Sequence, residues 1–61
     1  MNYTQRVYEL ISDGLYHGEY DLKDDSALTE IPTDKLAIGS LAFSPSNKLF
    51  YYNGDIWKEL K

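Results

Sequence analysis

Ser40-Leu-Ala-Phe-Ser-Pro-Ser-Asn-Lys-Leu-Phe-Tyr-Tyr-Asn-Gly-Asp-Ile-Trp-Lys-Glu-Leu60 is the stretch whose reading decides the fold. Three short runs rich in aromatic and branched residues are separated by two groups of turn formers, which predicts a three-stranded antiparallel meander over residues 40–60. In the first turn, Ser44-Pro45-Ser46-Asn47, proline stands where a type I turn needs its fixed φ, and Asn47 tolerates a left-handed backbone. In the second, Asn53-Gly54 matches a type I′ turn, in which both central residues need φ > 0. A two-residue loop there sets Phe50 opposite Trp57, Lys48 opposite Glu59 and Tyr51 opposite Ile56. A loop lengthened at Asp55 alters that register. Gly39 is expected to open the first strand.

Upstream, Tyr3, Val7, Leu10 and Ile11 fit helical spacing, with Asn2 or Thr4 as a cap. Asp13-Gly14 follows at once, however, and Leu15 to Leu22 alternates, so a hairpin over residues 5–22 competes with the helix and fits better. With Asp13-Gly14 as a two-residue turn, Ile11 faces Tyr16, Val7 faces Tyr20, Gln5 faces Leu22 and Leu10 faces His17. The other face then carries Tyr8 opposite Glu19 and Arg6 opposite Asp21, a pair of opposite charges. Residues 23–39 read as an irregular connecting arm. Asp25 or Ser26 could cap a single turn containing Leu28, and Pro32 holds Ile31 extended. Because long structureless loops are uncommon in compact domains, Leu28, Ile31, Leu36 and Ile38 are expected to pin the arm to the sheet or to a neighbouring subunit. The fold class is therefore mainly β, as one small domain over residues 1–61.

Sixty-one residues without a cysteine give a marginal core, since a chain this short buries only about 60 % of its unfolded surface. Disulfides and thiolate zinc sites are excluded, which leaves assembly with itself or with a partner as the expected extra support. Ten acidic residues against six basic ones, a net charge of -4, argue against binding to a phosphate backbone. No apolar run reaches the roughly 18 residues of a membrane span and no signal peptide opens the chain. A soluble product of the cytoplasm is expected, with neither nucleic acid nor membrane as partner.

The residues that could carry chemistry are few. His17 is the single imidazole and reads as a solvated or hydrogen-bonded strand residue. Asp21, Asp24, Asp25 and Glu30 form the densest acidic group, but a calcium loop needs alternating oxygen ligands and a glycine, and Leu22 and Lys23 interrupt that spacing. No phosphate-cradling glycine loop occurs. The expectation is a non-enzyme with no catalytic residues, no metal and no cofactor.

Six tyrosines, two phenylalanines and one tryptophan exceed what one side of so small a sheet can hide. Alternation sets Phe50, Tyr52 and Trp57 on one face of the last hairpin and Leu49, Tyr51 and Ile56 on the other. Both faces are apolar, and a chain of this length cannot cover both. Tyrosine and tryptophan are enriched at interfaces, so Phe43, Phe50, Tyr51, Tyr52 and Trp57 are the expected interface anchors, with Leu28 and Ile31 added if the arm reaches a neighbour.

Val7-Tyr-Glu-Leu-Ile-Ser-Asp-Gly-Leu-Tyr-His-Gly18, Ile31-Pro-Thr-Asp-Lys-Leu-Ala-Ile-Gly-Ser40 and Tyr51-Tyr-Asn-Gly-Asp-Ile-Trp-Lys-Glu-Leu60 together resemble small structural proteins of tailed phages and prophages. The pattern Gly-Ser, strand, turn, strand, Asn-Gly, Trp-x-x-Leu is similar to the β-modules of phage head fibres and tail accessories. The resemblance implies a virion component made in the host cytoplasm, a capsid decoration, head-fibre or adaptor subunit. Such a subunit would work as a homo-oligomer or bound to a capsid or tail protein. The alternative from another class is a small acidic intracellular inhibitor of the anti-defence type, whose active surface would be Asp21, Asp24, Asp25 and Glu30.

Overall fold

A computed structural model describes residues 2–60. Five strands form one sheet in chain order: β1 (Tyr3–Ser12), β2 (Leu15–Leu22), β3 (Leu41–Phe43), β4 (Leu49–Tyr52) and β5 (Trp57–Glu59). β1–β2, β3–β4 and β4–β5 pair antiparallel, while β2 and β3 run parallel and join the hairpin to the meander. The fold is thus mainly β, as expected, but its sheet is mixed. The arm is not wholly irregular: it carries a single 3-10 helix, Asp25–Glu30. Its cap is Asp24, one residue before the earlier of the two expected positions. The extended Asp24 backbone lets the carboxylate accept the Ser26 N–H at 2.9 Å.

The first hairpin forms around a type I′ turn, with φ of +51° at Asp13 and +78° at Gly14. Its register departs from a simple ladder. Irregularities at Arg6 and Ile11 shift the pairing twice, so that Tyr16 faces Leu10, Tyr20 faces Gln5 and Leu22 faces Tyr3. Tyr8 faces Gly18 and Glu19 faces Val7, while His17 faces Glu9 and not Leu10. Asp21 stands opposite Thr4, yet Arg6 still reaches it from the bulge, Nε to Oδ2 3.3 Å. The gain is apolar: Tyr3 replaces Gln5 beside Leu22, and its ring meets Tyr20 edge-on at 5.7 Å.

The last hairpin also departs from the expected register. Asn53 does not enter a left-handed turn; its Oδ1 accepts the N–H groups of Asp55 and Ile56, each at 2.9 Å. The loop therefore takes four residues, and the pairs become Phe50–Glu59, Tyr51–Lys58 and Tyr52–Trp57. Ile56 lies in the loop. Because the register moves by two residues, the side chains keep their expected faces. The Ser44–Asn47 turn forms as read, with Asn47 at φ +64° and its N–H bonded to Ser44 O at 3.3 Å. Gly39, at φ +94°, sits in the bend just before β3.

The core lies on one face of the sheet. Tyr20, Leu22, Ala42 and Tyr52 from the strands meet Ala27, Ile31 and Leu36 from the arm, with Tyr3, Leu28, Phe50 and Trp57 packed around them. The arm is pinned where expected at Ile31 and Leu36, but Ile38 is 72 % exposed. Tyr16 N–H to Lys35 O (2.8 Å) and Ala37 N–H to Tyr16 O (2.7 Å) carry the parallel pairing beyond β3. The buried Ser40 hydroxyl accepts from the Gly18 N–H at 3.1 Å and donates to Ala37 O at 2.8 Å, tying β2 to the arm.

Candidate functional site

With Tyr20, Leu22, Ala42, Phe50, Tyr52 and Trp57 turned into the core, alternation sends their neighbours to the opposite face. There, the registers align one row across all five strands: Val7, Glu19, Leu41, Tyr51 and Lys58. A second row holds Thr4, Asp21, Phe43 and Leu49. Leu60 extends it, its N–H bonded to Leu49 O at 2.6 Å. The packing residues of the arm, Ala27, Leu28, Ile31 and Leu36, all belong to the core on the other side. Val7, Leu41, Phe43, Leu49 and Tyr51 are consequently only half-buried, screened by one another and by no second layer among the described residues.

This outer face is chemically graded. Over β1 and β2 it carries Glu9, Glu19 and Asp21 with Arg6 and His17. Over β3 and β4 it is apolar, and at β5 it carries Lys58. His17 Nε2 lies 2.9 Å from Glu19 Oε2, with both side chains largely covered. The Arg6 guanidinium pairs with Asp21 and sits 5.3 Å from the centre of the Phe43 ring, so it both neutralises a carboxylate and lies on an aromatic face.

Two other features lie outside these two rows. The tip of the first hairpin leaves Tyr8, Leu10, Ile11 and Leu15 exposed, with the Tyr8 and Tyr16 rings stacked at 4.6 Å. An open groove of about 350 Å³ is lined by Leu28, Ile31, Thr33, Asp55, Ile56 and Trp57, among others. The Trp57 Nε1 is buried and has no acceptor among the described residues.

The expected anchors divide between the two faces. Phe43 and Tyr51 lie on the outer face. Phe50, Trp57 and Leu28 are partly buried against the core, and Tyr52 and Ile31 are buried within it, Ile31 keeping only the sliver of surface that lines the groove. Leu49 shares the outer face with Tyr51 as alternation had it; Val7, expected opposite Tyr20, pairs with Glu19 on that face instead, and Leu41 joins them without having been singled out. The signal for Leu41 was Leu41-Ala42-Phe43: one small residue between two large ones marks the tightly packed side, and sends the large ones outward.

The acidic group is dispersed. Asp21 pairs with Arg6, Asp24 caps the helix, and Glu30 accepts from Asn2 Nδ2 at 2.9 Å. Asp25 accepts from the hydroxyls of Ser44 and Ser46, and lies 3.5 Å from Lys48 Nζ. The Ser44 hydrogen bond above all, then Ser46 and Lys48, holds the Asp25 carboxyl below the ordinary aspartate range. Among the described residues no three histidine, cysteine or carboxylate side chains gather as a metal site would require. No family model, no curated protein and no solved structure matches the chain.

Proposed function

We propose that this chain is a non-enzymatic structural or accessory protein of a phage virion, a capsid decoration, head-fibre or adaptor subunit that acts by protein–protein docking. The observation that carries this reading is the outer sheet face. The sheet presents Val7, Leu41, Phe43, Leu49 and Tyr51, half-buried, on a side against which the described residues set no second layer. A contiguous apolar face on a small protein marks an interaction surface, and its partly charged margin suits a protein partner better than a lipid one. The resemblance to small phage structural proteins supplies the setting: synthesis in the host cytoplasm, then incorporation in the particle.

Docking by the face is favoured over docking by an edge. β1, the long edge strand, is interrupted at Arg6 and Ile11, and β5 has three residues. Bulges, charges and short length are the usual means of keeping a sheet edge from pairing with another chain. The inhibitor role would draw on Asp21, Asp24, Asp25 and Glu30, and each of these carboxylates already has a partner on the chain. Mass spectrometry of gradient-purified particles from the source of the sequence tests the proposal. The chain should be present at a fixed copy number relative to the major shell protein. Its confinement to the soluble fraction would overturn the virion role and favour the inhibitor.

A further inference from the structure

Resting on the docking role above, we propose that a second copy of this chain covers the outer face. The two sheets stack about a two-fold axis that runs parallel to the strands and passes between β3 and β4. The grading of charge across the face selects this arrangement. An axis parallel to the strands keeps each row level with itself and reverses the strand order. Leu41 then meets the partner's Tyr51, and Phe43 meets the partner's Leu49. In the same row Glu19 of β2 meets the partner's Lys58 of β5, and the symmetry repeats every contact.

An axis perpendicular to the strands fails on the same chemistry. It would set β2 over β2, bringing the Glu19–Asp21 segment of one copy against the same segment of the other, a like-charge contact that costs specificity and affinity. The strand-parallel axis instead leaves β1 at the rim, where Glu9 remains solvated. Facing sheets pack about 10 Å apart, a gap that the long side chains of glutamate and lysine span together. Size sets the expected strength. The body measures 33 × 22 × 15 Å, and with β1 at the rim the overlap of β2 to β5 buries less than the roughly 800 Å² per partner of a standard interface, which makes the dimer concentration-dependent. Stacking would turn a sheet with one covered face into a sandwich with two.

Charge exchange tests the geometry. Sedimentation equilibrium is measured for wild type, Glu19→Lys, Lys58→Glu and the double variant, with circular dichroism checking that each is folded. Each single reversal creates two like-charge contacts and should weaken dimerisation at least about tenfold. Added salt should reduce that loss, and the double variant should return to near the wild-type constant. Lys58 is exposed on a three-residue edge strand, so its reversal reads the interface even if Glu19→Lys perturbs folding. A wild-type dimer indifferent to both reversals overturns the geometry while leaving the docking role in place. A wild type that stays monomeric at every concentration overturns the self-stacking altogether and redirects the docking role to a foreign partner.

Discussion

Four side chains show how local chemistry fixes this fold. A Cβ added at Gly18 would lie 2.6–2.8 Å from atoms of the Tyr20 ring, which lies over the glycine and is the largest fully buried side chain. Gly18→Ala should therefore displace Tyr20 and cost about 1–3 kcal/mol, read as a lowered urea midpoint; an unchanged midpoint would mean that Tyr20 has another place to go. Asn53 holds two backbone N–H groups with one carbonyl oxygen, so Asn53→Ala should cost about 1–2 kcal/mol by the same measurement. Trp57 contacts Tyr20 and Tyr52 but buries an indole N–H that finds no acceptor among the described residues. Trp57→Phe, which keeps a ring and deletes that donor, should change stability by less than about 1 kcal/mol, whereas Trp57→Ala should cost about 3 kcal/mol. The Asp25 carboxyl, depressed by Ser44, Ser46 and Lys48, adds stability above its unfolded-state pKa and loses it as pH falls through its lower folded-state value. Tm should drop on acidification below the ordinary aspartate range, and less steeply in Asp25→Asn; equal slopes would remove Asp25 from the explanation.

At the scale of elements, turns were legible in the sequence and registers were not. Asp13-Gly14 and Ser44-Pro45-Ser46-Asn47 declare themselves through residues that tolerate particular dihedral angles. Asn53-Gly54 carried the same signature, but Asn53 used its side chain to close a wider loop. The faces of β4 and β5 survived that misreading because a shift of two residues preserves alternation. The bulges at Arg6 and Ile11 had no local signal, since their advantage is tertiary: they bring Tyr3 to Leu22 and Arg6 to Phe43. The parallel joint between β2 and β3 was equally silent. It depends on an arm that returns across the sheet and on the buried contact of Ser40 with Gly18. Of the expected anchors, Phe43 and Tyr51 lie on the outer face; alternation had already set Leu49 beside Tyr51, whereas Leu41 was not named. The hairpin tip, with Leu10 and Leu15 exposed, lies beyond the core. A Leu10→Ser/Leu15→Ser variant should melt within a few degrees of wild type, whereas Leu22→Ala, in the core, should cost about 2–4 kcal/mol.

The whole molecule is one layer of sheet with an arm on a single side, 15 Å along its shortest axis. Its core is built from Tyr20, Tyr52, Leu22, Ile31 and Leu36 with the small residues Ala27 and Ala42, a small core for a chain of this size. Under the proposed docking, ligation of the open face by another protein would raise apparent stability by mass action. The measurement that bears most directly on this account is the native mass of the purified chain by light scattering over a wide concentration range, beside that of Leu41→Asp. Wild type should move with concentration from the 7.1 kDa of one chain to a defined multiple of it, while Leu41→Asp, folded by circular dichroism, should keep the mass of one chain throughout. A Leu41→Asp variant that assembles as wild type does would contradict the claim that the outer sheet face is the interface.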